Sequence, residues 1–139
     1  MKYKLTKETK ENMIDEISSY LFHEHQEIIS AYVFGSFVTS DSFSDIDLGI
    51  ITATDMNRPL DFEFEMESQI ETISKCRVDV RILNRAPISF SQSVFRNGRV
   101  ILDRDPNVRA DFEGRTLKQY FDFSRFRQRY LQEVTNARI

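Results

Sequence analysis

The sequence predicts one α/β domain built on a small mixed β-sheet, and three observations support this fold class. The chain has 139 residues, the length of a single domain. Hydrophobic residues make up 40% of it, with twelve phenylalanines and only four glycines, which is typical of a globular protein. Short apolar runs alternate along the chain with longer segments of helical periodicity. We therefore expect a sheet flanked by helices.

The first half of the chain predicts a helix followed by two strands. Thr6 or Thr9 can cap the helix, because threonine side chains accept hydrogen bonds from the first free amides. Residues 30–34 form an apolar run ended by a glycine and predict a buried strand. Residues 36–44 predict a turn, with one helical turn in it, and residues 45–52 predict the second strand. The apolar positions of the helix recur at helical spacing: Ile14, Ile17, Leu21 and Ile28.

The segment that follows Pro59 fits two patterns. DFEFEME alternates like a strand, whereas Phe62, Met66 and Ile70 follow one helical face. The proline near its start and its length favour a helix. Residues 76–83, CRVDVRIL, alternate cleanly and predict a strand.

The last third of the chain predicts a short helix, a strand and a helical tail. The helix runs from Pro87 through Phe95, a turn lies at Asn97 and Gly98, and RVILDRD forms the strand. Beyond Pro106 the apolar spacing predicts one long helix, or two joined near Asp122. We expect a single domain over residues 1–139, with a core over about 1–105 and a helical tail over about 106–139.

Charge and composition exclude several classes of protein. The net charge of −3 and pI near 5.4 argue against general nucleic-acid binding, which needs an excess of lysine and arginine. The charge is uneven, with a net −6 over residues 1–103 and +3 over residues 104–139. Cys76 is the single cysteine, so the chain cannot form an internal disulfide. A polar N-terminus and the lack of a membrane-length apolar run predict a soluble, cytoplasmic protein.

Three aspartates on two predicted strands indicate a metal site. Strand side chains alternate, so Asp45 and Asp47 point to the same side of their strand. In RVDVRI the same alternation places Asp79 on the face opposite the valines, and it would lie beside the other two aspartates if the strands pair. Three ionised carboxylates this close repel one another unless a cation neutralises them. Mg²⁺ prefers oxygen ligands and commonly binds substrate phosphates as well.

Gly35 and Ser36 end the first strand and suit the phosphate part of such a site. Glycine lets the backbone approach a ligand closely, and amides with a serine hydroxyl can hold a phosphate. A Gly-Ser pair alone means little. Combined with Asp-x-Asp at the head of the next strand, it indicates phosphate chemistry.

These motifs together resemble the minimal nucleotidyltransferases of the DNA polymerase β superfamily. The resembling stretches are FGSF…SDIDLGI and VDVRILNRAP, and the later RNGRVILDRD and FEGRTLKQYFDFSRFRQRYL resemble the tail of the MntA antitoxins, which accompany HEPN-domain toxins called HepT. The resemblance implies that Gly35 and Ser36 bind the triphosphate of ATP. It also implies that Asp45 and Asp47 bind Mg²⁺, and that Asp79 completes the site and deprotonates the acceptor.

The activity that the resemblance implies is transfer of AMP from ATP to a tyrosine of a partner HEPN toxin in a hetero-oligomer. One feature departs from the family pattern. The spacer FVTSDSFS has eight residues, two fewer than the commonest form, and lacks its basic residue and glycine. Two alternatives stay open: transfer to a small molecule or RNA end, and a non-catalytic antitoxin that occludes its partner.

Other charged and aromatic residues have simpler interpretations. His23 and His25 are expected at the surface, since they lack a metal-ligand pattern. Arg81 could contact phosphate or form a structural ion pair. Two larger sets have structural interpretations: a solvated helix face for Asp61, Glu63, Glu65 and Glu67, and solvated arginines (Arg125, Arg127, Arg129) flanking a core stripe of Phe126 and Tyr130.

Overall fold

The computed structural model describes residues 2–137, and this part of the chain forms six strands and five helices. In chain order they are β1 (Tyr3–Lys4), α1 (Lys7–Glu24), β2 (Ile28–Phe34), α2 (Ser36–Thr39), β3 (Ser42–Phe43), β4 (Asp45–Thr52), α3 (Pro59–Ser74), β5 (Arg77–Ile82), α4 (Ile88–Asn97), β6 (Arg99–Asp103) and α5 (Pro106–Ala137). The α/β class and the order of the longer elements agree with the sequence-based expectation. Ile28 begins β2 and does not belong to α1, and the two-residue strands β1 and β3 were not predicted.

Four strands form one mixed sheet in the order β5-β4-β2-β6. β2 runs antiparallel to both β4 and β6, whereas β4 and β5 are parallel. A parallel pair needs a long crossover, and α3 provides it. β1 and β3 form a separate antiparallel pair beside α2.

The sheet is covered by helices on both faces. On one face α1 and α3 contribute Ile17, Leu21, Met66 and Ile70, all buried against alternate residues of the strands. On the other face α4 and the first turns of α5 cover Tyr32 and neighbouring strand residues. Thr6 caps α1, since its side-chain oxygen accepts a hydrogen bond from the Thr9 amide at 3.1 Å.

Glutamates of α3 bind the outward-facing amides of β5, the edge strand of the sheet. Four residues advance a helix by about 6 Å, and two residues advance a strand by about 6.6 Å, so a glutamate on each turn meets every second amide. The expectation that Glu63 and Glu67 are solvated is therefore wrong. The carboxylates accept hydrogen bonds as follows: Glu63 from Ile82 (2.9 Å), Glu67 from Val80 (2.8 Å) and Glu71 from Val78 (3.1 Å).

His25 is also not a surface residue. Its side chain is 12% exposed, and its ring nitrogens lie 2.8 Å from the Tyr20 hydroxyl and 3.0 Å from a Glu27 carboxylate oxygen. It follows the end of α1 and links this helix to the start of β2. Cys76 is buried, as expected of a small thiol beside a strand.

α5 is one continuous helix, and its first third packs on the body. The Phe112 ring lies 5.8 Å from the Phe95 ring of α4, and Thr116 is buried. Farther along, Phe126 is 69% exposed and Tyr130 is 58% exposed. The expectation that these two residues form a core stripe is wrong, because the helix extends past the domain it packs on. No helix in the described part of the chain has the length and hydrophobicity to cross a bilayer.

Candidate active site

The parallel pairing of β4 and β5 brings the three predicted aspartates together. Asp47 lies directly opposite Asp79 in the register, and Asp45 lies opposite Arg77. By strand alternation all three carboxylates are on the face of the sheet that does not carry α1 and α3. The neighbouring Ile46 is fully buried on the other side. Sequence reasoning anticipated this cluster on the condition that the two strands pair, and they do.

The electrostatics of the cluster centre on Asp47. Burial, followed by the negative charges of Asp79 and Asp45, raises the pKa of its carboxyl from 3.8 to about 6, against a smaller opposing effect of Arg81. Asp45 lies 3.7 Å from Nε of Arg77, and Asp79 lies 3.5 Å from Nε of Arg81. These arginines are exposed, so their ion pairs are weak. The ionised cluster therefore has an excess of negative charge that a cation would relieve.

Gly35 meets Asp47 at the end of β2. Phe34 is the strand partner of Asp47, and a Cβ atom on the following Gly35 would overlap Oδ2 of Asp47. Gly35 also has φ = +76°, a conformation that residues with a Cβ rarely adopt. Ser36 is exposed and begins α2 directly after it. The two halves of the predicted motif are thus in contact.

The short spacer between Gly35-Ser36 and Asp45 is well packed. Phe37 and Phe43 are buried, with ring centroids 4.9 Å apart. Nζ of Lys10 donates hydrogen bonds to the carbonyl oxygens of Phe37 (2.8 Å) and Ser40 (2.9 Å). Sequence reasoning missed Lys10, because it lies on α1, far from the motif in the chain. The spacer contains no basic residue of its own, and Lys10 of α1 holds it in place instead.

Glu67 is a fourth carboxylate next to the cluster. It lies on α3 and accepts a hydrogen bond from the amide of Val80, the residue after Asp79. This bond places the Glu67 carboxylate beside the Asp79 side chain. Burial raises the pKa of Glu67, the Val80 amide opposes this rise, and Asp79 adds to it. Sequence reasoning placed Glu67 in solvent, since helical spacing alone does not show which strand the helix packs on.

The donor chemistry of the cluster fits a hard divalent cation. Three carboxylates of adjacent strands share one face, and Gly35 leaves room at Oδ2 of Asp47. Within residues 2–137 no three acidic, histidine or cysteine side chains already converge as metal ligands. Asp45 and Asp79 instead face Arg77 and Arg81. Both carboxylates must turn away from these arginines to bind one ion with Asp47.

A cleft of about 360 Å³ opens beside the cluster. It lies between the starts of α3 and α4, and one of its lining residues, Arg81, is the ion-pair partner of Asp79. The size falls in the range of small-molecule sites. Its lining combines apolar side chains, among them Met56, Leu60 and Phe90, with charged ones, among them Asp55, Arg81 and Arg85.

Solved structures with the same fold include chains of toxin–antitoxin complexes. One is a complex of the tri-AMPylated Shewanella oneidensis HEPN toxin with MNT antitoxin, with a TM-score of 0.72 and 20% identity over 91% of this chain and 98% of that one. A second is the MntA-HepT toxin–antitoxin, with a TM-score of 0.71 and 19% identity over 90% of this chain and 98% of that one. A third is a toxin–antitoxin with AMP-PNP, with a TM-score of 0.72 and 20% identity over 88% of this chain and 98% of that one.

At these identities the structural likeness concerns the fold, which agrees with the sequence-based expectation. No curated protein sequence matches the chain. The family is shown by a sequence model described as Polymerase beta, Nucleotidyltransferase, which matches residues 15–107. This match runs from the middle of α1 to the first residues of α5 and includes Gly35, Ser36 and all three aspartates. The chain therefore belongs to the polymerase β nucleotidyltransferase family.

Proposed function

We propose that this protein is an antitoxin that transfers AMP from ATP to a tyrosine of a partner HEPN toxin. The observation that carries the proposal is the contact between Gly35 and Asp47 together with the pairing of Asp47 and Asp79. In this arrangement a phosphate-binding position at Gly35, a metal-binding carboxylate at Asp47 and a further carboxylate at Asp79 lie in one row across the sheet. The solved relatives, in which a tri-AMPylated HEPN toxin is bound to MNT antitoxin and a toxin–antitoxin is bound to AMP-PNP, support the substrate and partner.

Each residue of the row has a role in the proposed reaction. Asp45 and Asp47, with Asp79, hold Mg²⁺, which offsets negative charge on the phosphates when bound. Gly35 and Ser36 bind the outer phosphates of ATP. Asp79 accepts the proton of the tyrosine hydroxyl, whose oxygen then bonds to the α-phosphorus. The bond from that phosphorus to the bridging oxygen breaks, and pyrophosphate leaves.

The cleft beside Arg81 is the proposed site of the adenosine part of ATP. The strands β2, β4 and β5 lie side by side, so Gly35, Asp47 and Asp79 follow one another across the sheet. An ATP molecule with its outer phosphates at Gly35 and its α-phosphate at Asp79 places its nucleoside in this cleft if it turns past Arg81 toward the end of β5. The apolar lining suits a base, and Arg81 can contact the α-phosphate.

The proposed organisation is one domain, with a catalytic core over about residues 1–105 and a tail over about 106–139, of which residues 138 and 139 lie outside the described part. The partner protein supplies the proposed acceptor, as the solved complex of a tri-AMPylated HEPN toxin with MNT antitoxin suggests. An ATP-dependent enzyme with one buried free cysteine suits the cytoplasm.

The test uses the purified protein, Mg²⁺, labelled ATP and the product of any HEPN gene adjacent to its own. We expect label and the mass of AMP to appear on a toxin tyrosine. Asp45→Asn should abolish transfer without loss of folding, because it removes a ligand charge from a half-buried strand position outside the core. Asp61→Asn, an exposed carboxylate outside the site, is the matched control and should transfer normally. If the wild type binds and inhibits the toxin without transfer, the protein acts by occlusion and the catalytic proposal is wrong.

A further inference from the structure

The protruding part of α5 carries a row of exposed aromatic side chains. Phe123, Phe126 and Tyr130 are 62%, 69% and 58% exposed. Single exposed apolar residues are common on protein surfaces, but a contiguous row of large ones marks an interaction site. Their spacing of i, i+3 and i+7 is the anchor spacing of a helix that docks into a groove.

This aromatic row continues the face by which α5 packs on its own domain. At about 100° per residue, Phe112, Thr116 and the three aromatics fall within roughly 80° of one another around the helix. Phe112 and Thr116 contact the body, whereas Phe123 and the residues after it extend past α4 and β2. The helix thus presents the same apolar face first to its own core and then to solvent.

The charge around the row indicates the kind of surface that covers it. Residues 114–137 contain five arginines or lysines and two acidic residues. Arg115 and Arg127 flank the aromatic row on its two sides, by the same helical geometry. Two copies packed tail to tail would bring like charges together, which disfavours a dimer formed through this helix. An acidic partner surface would be attracted.

We propose that Phe123, Phe126 and Tyr130 dock into an apolar groove with an acidic rim on the partner toxin. The inference rests on the proposed function, because it takes the HEPN toxin as the partner, and adds the surface by which the toxin is held. The row is separate from the aspartate cluster, so it governs affinity for the toxin and leaves the chemical step untouched. Aromatic side chains commonly dominate the affinity of such interfaces.

The experiment compares toxin binding by the full-length protein and two variants in isothermal titration calorimetry. The variant Phe126→Ser/Tyr130→Ser removes two anchors from exposed positions and should fold normally by circular dichroism. Its Kd for the HEPN toxin should rise at least about tenfold. Phe121→Ser is the matched control, since Phe121 is 56% exposed on the opposite side of the same helix. Its Kd should equal that of the wild type.

Transfer kinetics separate this inference from the proposed function. With toxin as the varied substrate, the double variant should raise KM at least about tenfold and keep kcat. An unchanged Kd in the double variant, or an equal loss in the Phe121 control, overturns the docking surface. Concentration-dependent dimerisation that the double variant abolishes also overturns it, because the row would then bind a second copy. If the wild type binds the toxin but transfers no AMP, the proposed activity is wrong. The binding comparison between the variants still tests the docking surface in that case.

Discussion

Replacing Asp47 by asparagine should stabilise the metal-free protein at neutral and alkaline pH. In the folded chain burial and the nearby Asp79 and Asp45 raise the pKa of Asp47 from 3.8 to about 6. The folded state therefore binds a proton more tightly than the unfolded chain, and ionisation of Asp47 opposes folding. Stability is lost as the pH rises from about 4 through about 6. Asparagine has almost the same shape and carries no charge, so it removes this loss.

The size of the effect follows from the shift. A rise of about two pKa units corresponds to about 3 kcal/mol at full ionisation, since one unit is about 1.4 kcal/mol. Partial exposure to solvent reduces this figure, so we expect about 1–3 kcal/mol. For a domain of this length that amounts to a rise in Tm of about 3–10 °C.

Thermal unfolding followed by circular dichroism in EDTA provides the measurement. The Tm difference between Asp47→Asn and wild type should be positive at pH 8 and should approach zero only near pH 3, where the side chain is mostly protonated in both the folded and the unfolded chain. Asp41→Asn, which changes an exposed loop carboxylate, should leave Tm unaltered at both values. Added Mg²⁺ should raise the Tm of the wild type more than that of the variant. A variant less stable than wild type at pH 8, or a difference independent of pH, would refute the electrostatic reasoning.

Three further substitutions test other contacts of the site. Gly35→Ala should destabilise the fold by more than about 1 kcal/mol and abolish AMP transfer, because of its positive φ and the overlap with Asp47; urea unfolding and the transfer assay measure both. Lys10→Met should raise the KM for ATP several-fold, because it frees the spacer that directly follows Ser36, whereas Lys7→Met, on the same helix, should not. Glu67→Ala should lower the free energy of unfolding by about 1–2 kcal/mol, since it unpairs the Val80 amide; the exposed Glu65→Ala is its control, and equal losses would contradict the pairing.

The cluster of aspartates was predictable because it depends mainly on residues that are neighbours in the sequence. Alternation along each strand determines which side Asp45, Asp47 and Asp79 face, and only the pairing of the two strands had to be assumed. The prediction that β4 spans residues 45–52 is confirmed, as is a helix over the ambiguous segment after Pro59. In both cases residues close in sequence carry enough information. The catalytic and metal roles of these residues remain predictions.

The residues that sequence reasoning missed act across long chain separations. Lys10 reaches the Phe37 carbonyl 27 residues away, and Glu63 pairs with an amide 19 residues away. These contacts depend on where α1 and α3 pack, which no local pattern reveals. The aromatic row of α5 was misjudged for a similar reason: helical periodicity shows that a face is apolar but does not show where the domain beneath it ends.

The glutamates along β5 also limit how another protein can approach the site. An open edge strand can accept a further strand from a partner or from another copy, and such pairing underlies both peptide recognition and aggregation. Here the carboxylates of Glu63, Glu67 and Glu71 already hold the amides that an incoming strand would need. A substrate protein therefore cannot reach Asp79 by extending the sheet from this side. In the proposed reaction the partner has to present one tyrosine side chain at a time over the open face of the strands.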